Sequence, residues 1–181
     1  MRADSKLMAA ALAISAIVSG GALVSSAAGD QPTDLTFGTA TNQFPTPAGP
    51  GSDELSVSAH SGPAGENPGG TVHAIGTSGA PNGAFEVSGP VTCLRVQGNK
   101  AAIKYRFDQA TGSAAPFLGG GVEVFIEDNG KPRNDQPPVD ANAAGSPQVA
   151  AEFAAAATQC DDPNLAPYDT VESGDYTVKD R

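Results

Sequence analysis

The stretch "VTCLRVQGNKAAIKYRF", residues 91–107, predicts a β-hairpin and decides the fold class of the chain. Gly98 and Asn99 form a two-residue turn of the kind whose positive φ angles match the right-handed twist of the flanking strands. In this register Thr92 faces Tyr105, and apolar side chains alternate with polar ones along both arms. A slip of one residue would mix apolar and charged groups on each face, so the pattern specifies the register.

One face of this hairpin is therefore expected in a core and the other in solvent. The core face consists of Thr92, Leu94, Val96, Ala101, Ile103, Tyr105 and Phe107. The solvent face consists of Cys93, Arg95, Gln97, Lys100, Ala102, Lys104 and Arg106.

Alternating segments bounded by glycine, proline and asparagine extend this pattern over most of the chain. They predict strands at 34–40, 54–60, 70–76, 83–89, 90–97, 100–107, 121–128 and 174–180. The fourth and fifth read as one long strand that bends at Gly89 and Pro90. The predicted fold is all-β, a small antiparallel up-and-down barrel of seven to eight strands whose last strand pairs with the first. A β-sandwich is the alternative.

Residues 129–173 interrupt the strand pattern and predict a long insertion loop. Its first half is too polar and too rich in proline to form an interior strand. The alanine-rich segment 148–160 favours a short helix, with Val149 and Phe153 as its apolar pair.

The chain begins with a segment typical of a secretory signal peptide at residues 1–28. Arg2 and Lys6 precede the apolar run 7–18, and small residues follow at 25–28. An uncleaved membrane anchor over residues 7–28 is the alternative. The remaining chain divides into an N-terminal segment with the first strand, 29–53, and the antiparallel β-domain with its insertion, 54–181.

Composition indicates a small core in an exported protein. The 181 residues include 22 glycines and 15 prolines but no tryptophan, so loops take much of the chain. A small core gains most from a covalent cross-link, and the only two cysteines in an exported chain predict a Cys93–Cys160 disulfide that anchors the insertion loop.

The net charge of −10 disfavours nucleic acid, and after signal cleavage no membrane association is expected. We expect a secreted protein with an extracellular or cell-wall partner.

Three residues around the "SGPAGENPGG" loop form the best catalytic candidate. A hairpin through this loop would bring His60 and His73 within several ångströms, with Glu66 at its tip. The set lacks a third ligand at a fixed spacing for a metal. A hydrolase that uses these residues is the weakest functional hypothesis.

The acidic loop that starts at residue 127 is a weak candidate for calcium, through Asp128, Asn129 and Asp135. Its spacing departs from a calcium loop, and Asp128 to Gly130 is more simply a turn that ends a strand. No cofactor is expected.

The barrel interior is expected to be packed. Eleven side chains are about enough to fill a small barrel: Leu55, Val57, Phe85, Val87, Leu94, Ile103, Tyr105, Val124, Ile126, Tyr176 and Val178. A cavity would instead suggest a small-molecule carrier of lipocalin-like or streptavidin-like type.

Four blocks in this order resemble a group of secreted actinobacterial β-domain proteins and, more loosely, the post-COAP-1 domain. They are "SAHSGPAGENPGGTV", "VTCLRVQGNKAAI", "VFIEDNGKP" and "SGDYTVKD". The resemblance covers roughly residues 54–130 and 173–180, and the chain departs from it by the insertion at 131–172. It implies an exported antiparallel β-domain and brings no catalytic residues. The preferred hypothesis is a secreted non-enzymatic domain with a structural or interaction role, whose contact surface is the insertion loop.

Overall fold

The computed structural model describes residues 33–131 and 140–181, which form one curled antiparallel sheet. The predicted signal peptide and Asp135 lie outside the described residues. The strands are β1 (Asp34–Thr46), β2 (Gly49–Ser61), β3 (Gly69–Thr77), β4 (Ala84–Gln97), β5 (Lys100–Arg106), β6 (Gln109–Gly112), β7 (Gly121–Glu127), β8 (Ala141–Ala144), β9 (Asp169–Thr170) and β10 (Ser173–Lys179). A helix, α1 (Ala150–Ala156), and two 3₁₀ turns (Ala115–Phe117 and Pro163–Leu165) accompany them.

The strand order confirms the all-β prediction, although the described sheet has ten strands and not the seven to eight expected. Neighbours follow the path β10-β1-β2-β3-β4-β5-β7-β8-β9, and β6 pairs with the first half of β4. The last strand pairs with the first, as expected. Because the strands make a single sheet, the sandwich alternative is wrong. The sheet is a half-barrel, however, since no main-chain ladder joins β9 to β10 among the described residues.

The opening hairpin has the predicted register near its turn and a β-bulge further along. Val91, rather than Thr92, faces Tyr105, because the register shifts between Val91 and Cys93. A bulge places one extra residue on one strand. It brings Val91 into the core, and the half-buried Thr92 donates to the carbonyl oxygen of Ala157, just after α1.

The hairpin turn needs only one positive φ angle. Gly98 has φ of +61°, whereas Asn99 does not take a positive φ. The Asn99 side chain instead donates to the carbonyl oxygen of Asp128 at 2.8 Å. The turn therefore also holds the end of β7.

The outer face of the hairpin is covered over its middle, so the prediction of a solvent face is wrong there, whereas Arg106 at its end is exposed as expected. The chain from α1 to the second 3₁₀ turn lies on it, and Cys93, Ala102 and Lys104 are buried. The predicted Cys93–Cys160 disulfide is present and attaches this segment. The insertion therefore forms a second layer on one wall of the barrel.

A buried ion pair lies beneath this second layer. Lys104 and Glu123 are cross-strand partners on β5 and β7, with Nζ and Oε2 3.4 Å apart. The Lys104 ammonium also donates to the carbonyl oxygens of Ala156 and Gln159 at the end of α1. Glu123 accepts from the N–H of Asp161. Each charge is thus satisfied by the covering segment, which explains how a lysine remains on a buried face.

The insertion holds the predicted helix and two short strands that were not predicted, β8 and β9. In α1, Phe153 is buried, and its ring lies where a side chain at Gly121 would otherwise project. Val149 remains exposed and precedes the helix. The short strand β8 forms because its small alanines can pair with the edge of β7, a requirement that polarity alone does not reveal.

Two carboxylates bridge the gap between β10 and the other end of the described sheet, where no main-chain ladder forms. We call this gap the seam. On the edge of β10 that faces away from β1, the N–H of Tyr176 donates to Asp140 Oδ2 at 2.7 Å and the N–H of Val178 to Asp128 Oδ2 at 2.9 Å. Asp140 also accepts from the N–H of Asn129 through Oδ1. Charge-assisted bonds to carboxylates thus replace ladder bonds across the gap.

The disulfide is expected to contribute strongly to stability. It closes a loop of 67 residues, for which the chain-entropy model gives an upper value of about 4 kcal/mol. Reduction should therefore lower the free energy of unfolding by up to that amount in denaturant titrations. A Cys93→Ser/Cys160→Ser double variant should not respond to reductant. Reaction of both thiols with a maleimide without prior reduction would contradict the pairing.

The seam is expected to depend on Asp140. An Asp140→Ala change removes the acceptor of the buried Tyr176 N–H and should lower the free energy of unfolding by about 2 kcal/mol in urea titrations. The exposed Asp161, whose side chain has no such role, supplies the matched Asp161→Ala control, with an expected effect within about 0.5 kcal/mol. Equal losses in the two variants would show that the seam bonds add nothing.

Candidate functional site: an apolar cavity at one end of the barrel

One end of the barrel contains a cavity of about 650 Å³, so the expectation of a packed interior holds only for the other end. All eleven predicted interior side chains lie in the core or pack against it. Those toward the β4–β5 turn, such as Leu94 and Ile126, are fully packed. Those toward the β1–β2 turn, such as Leu55 and Val124, line the cavity. Its volume falls in the range of small-molecule sites.

The cavity has a deep apolar floor and a rim that reaches the surface. Its buried floor consists of Leu55, Ala74, Val87, Tyr105, Phe107, Val122 and Val124. Exposed residues form the rim, among them Pro45, Ser113, Ala144, Pro147, Pro167 and Asp169. A molecule could therefore enter from solvent and bury most of its surface.

Aromatic rings are concentrated in this cavity. Of the 7 phenylalanines and 3 tyrosines in the chain, five line it: Phe44, Phe85, Tyr105, Phe107 and Phe117. They come from β1, β4, β5 and the connection from β5 to β7, which the barrel brings to one end. Flat rings on several sides favour a ligand with an aromatic or alicyclic body.

Asp53 is the charged group of the cavity wall. It lies in the middle of β2, between Asn42 of β1 and Gly76 of β3. Its Oδ1 is buried and has no hydrogen-bond partner among the described residues. Burial raises the pKa of Asp53 to about 6. Near neutral pH the cavity therefore holds a poorly solvated carboxylate with an open hydrogen-bond position.

Two tyrosines lie close enough to Asp53 for its charge to affect their pKa values. Burial raises the pKa of Tyr105 above its ordinary value, and the Asp53 carboxylate adds to the rise. Burial likewise raises the pKa of Tyr176, whose hydroxyl donates to the carbonyl oxygen of Leu55 and receives a bond from Asn142. Within the described chain the Tyr105 hydroxyl has no such partner. Both phenols stay neutral, and that of Tyr105 remains available as a donor or acceptor.

Among the described residues that line this cavity, none has a basic side chain. Its two carboxylates are Asp53 in the wall and Asp169 at the exposed rim. Across residues 33–131 and 140–181, Asp53 forms no ion pair, and its neighbours Asn42 and Gly76 carry no charge. The electrostatic potential in the cavity is therefore negative.

Sequence reasoning missed Asp53, although the alternation of its strand contains the signal. The pattern that places Leu55, Val57 and Ala59 on the inner face also places Asp53 there when it is extended back by two residues. The predicted strand began at residue 54, whereas β2 begins at Gly49. The proposed boundary between the N-terminal segment and the β-domain thus falls inside a strand.

The two histidines do not meet. His60 faces Gly69 and His73 faces Ser56, so they lie four residues apart along β2. At the rise of a strand this is about 13 Å, not the several ångströms expected. Both point to the outside of the barrel, away from the cavity.

The acidic partner proposed for these histidines is engaged elsewhere. Glu66 accepts from the N–H of Ala64 within its own loop. His73 Nε2 lies 3.0 Å from Glu86 Oε1 on the next strand, and both side chains are largely exposed. The structure therefore does not assemble the arrangement that the hydrolase hypothesis requires.

The calcium candidates have structural partners where they are described. Asp128 Oδ1 accepts from the N–H of Gly130, which has φ of +85°, and this is the turn predicted for the segment. Asp128 Oδ2 belongs to the seam, and Asn129 donates to Asp140. In the part of the chain that the structure describes, no group of three or more acidic, histidine or cysteine side chains is arranged to hold a metal ion.

No protein-family model, curated protein or solved structure matches the chain. The resemblance to secreted actinobacterial β-domain proteins stays a prediction. Over residues 33–131 and 140–181, no helix is long and apolar enough to cross a membrane.

Because of Asp53, the free energy of unfolding is expected to fall as the pH rises. The unfolded chain loses this proton near its ordinary pKa of 3.8, whereas the folded chain holds it until about pH 6. Folding is therefore penalised increasingly as pH rises through this window, by about 3 kcal/mol at neutral pH. Asp53→Asn should gain stability relative to the unmodified protein between these values, in melting temperatures taken across the range.

The neighbouring Glu54 is exposed on the outside of the same strand and provides the control. Glu54→Gln should follow the pH profile of the unmodified protein. A profile of Asp53→Asn that parallels the unmodified one would show that Asp53 is not penalised.

Proposed function

We propose that the chain is a secreted binding domain that carries a small, mainly apolar molecule in the cavity at the β1–β2 end of the barrel. The observation that supports this is the cavity itself: about 650 Å³, with a buried apolar floor and an open rim. Sites for small molecules combine such an apolar lining with a few placed polar groups, here Asp53, Tyr105 and Asn42.

The cavity favours a carrier over the purely structural role preferred from the sequence. The insertion, proposed there as a contact surface, is attached to the barrel by the disulfide and by the hydrogen bonds that Lys104 and Glu123 make with it. A role in contacts with an extracellular or cell-wall partner stays a prediction. Export agrees with the apolar N-terminal segment and with a disulfide, which persists in oxidising compartments.

Obstruction of the cavity should abolish binding. Ala114 and Ala144 line the cavity, and tryptophan at either position would fill part of it. Nile red, a neutral apolar dye, should bind the unmodified protein with an increase in fluorescence. We expect binding to weaken at least about tenfold in Ala114→Trp and in Ala144→Trp.

The control is Ala151→Trp, on the exposed side of α1 and away from the cavity. It should bind the dye as the unmodified protein does, and melting temperatures would confirm that each variant is folded. Equal binding by all the variants, or none by the folded unmodified protein, would overturn the proposal. Native mass spectrometry of the exported protein would reveal a copurifying ligand.

A further inference from the structure

We propose that the molecule bound in this cavity is an organic amine whose ammonium group meets the Asp53 carboxylate while its apolar body lies among the aromatic rings. This inference rests on the proposed function and narrows it to one class of ligand. It requires that Asp53 lacks an internal partner, that the cavity lacks a compensating cation, and that the lining suits an organic cation.

The first requirement is met by the position of Asp53. Its neighbours across the sheet are Asn42 and Gly76, which supply no charge. Its carboxylate accepts no hydrogen bond from any described residue, and Oδ1 is buried. A buried carboxylate without partners is costly, and a ligand that donates hydrogen bonds to it removes that cost on binding.

The second requirement decides the sign of the ligand's charge. The described part of the chain puts no lysine, arginine or histidine in the cavity lining, so a carboxylate ligand such as a fatty acid would find no counter-ion among those residues. It would also be repelled by Asp53. An ammonium ligand gains from the same field, because an opposite charge within a few ångströms stabilises an ionised carboxylate.

The third requirement concerns the walls. Rings from Phe44, Phe85 and Phe117 approach from different sides of the cavity, and Tyr105 and Phe107 stack edge to face on its floor with centroids 5.3 Å apart. Aromatic faces attract organic cations as well as apolar carbon. The combination of rings with a single inner carboxylate fits an amine with an aromatic or alicyclic body.

Among the titratable groups near the cavity, Asp53 is the one whose protonation is expected to change amine binding. Tyr105 on β5 and Tyr176 on β10 remain neutral, since burial and nearby negative charge raise the pKa of each. Asp169, the remaining carboxylate of the lining, is exposed at the rim, where solvent screens its attraction for a cation. Protonation of Asp53 should therefore weaken amine binding selectively.

The test compares three ligands with the same aromatic body: naphthylethylamine, naphthylethanol and naphthylacetic acid. Calorimetric titration at about pH 8 should give the amine at least about tenfold tighter binding than the alcohol, and the acid the weakest binding. In Asp53→Asn the advantage of the amine over the alcohol should fall to about twofold or less. Asp169→Asn, which removes the rim carboxylate, should retain most of that advantage.

A second measurement needs no variant. The advantage of the amine over the alcohol should shrink on going from about pH 8 to about pH 5 in the unmodified protein, because Asp53 becomes protonated. If the alcohol binds as tightly as the amine, or if Asp53→Asn keeps the preference, the inference about amines is wrong while the cavity remains a binding site. If neither these ligands nor Nile red bind, the proposed function fails as well.

Discussion

The barrel depends on the carboxylates that accept hydrogen bonds from the free edge of β10. Asp140 and Asp128 accept hydrogen bonds from the N–H groups of Tyr176 and Val178. On this edge of β10 no described strand is paired with these groups. An unpaired strand edge is a liability, and an N–H group buried without a partner costs as much as a lost hydrogen bond. These bonds hold β10 against the end of β7, while its ladder with β1 holds the other edge. Without them the sheet would have two open edges and no enclosed interior.

The same seam shows where sequence interpretation succeeds and where it fails. Asp128 and Gly130 form the predicted turn, because turn chemistry depends on residues that are adjacent in the chain. The second carboxylate oxygen, however, bonds Val178, which is 50 residues away. Nothing local to Asp128 shows that a strand edge will lie beside it. Similarly, the outer face of the opening hairpin has the polar pattern of a solvent face, but the disulfide brings α1 onto it.

The cavity illustrates a different limit. The interior side chains were predicted from alternation, which gives the face of each residue but not the distance between opposite walls. Whether they fill a barrel depends on its radius, and here the seam leaves the sheet wide enough for them to pack at one end only. In β1 the alternation even runs against hydropathy, since Thr36 and Asn42 point inward while Phe37 is 45% exposed. A strand whose polar side faces the interior gives a weak pattern.

Asp53 affects both the stability of the fold and the choice of ligand. Within the described chain its carboxylate is buried without a partner, next to Gly76, where the ladder brings β2 and β3 so close that a side chain would meet the Asp53 backbone. Asparagine or leucine at this position would avoid the cost of charge burial and would fit the alternation equally well. A site that carries an uncompensated charge is typical of binding residues that are completed only by the ligand, since a ligand that supplies the missing partner binds the folded state and stabilises it. The buried, unpaired charge of Asp53 is therefore the feature that gives the cavity its preference for organic amines.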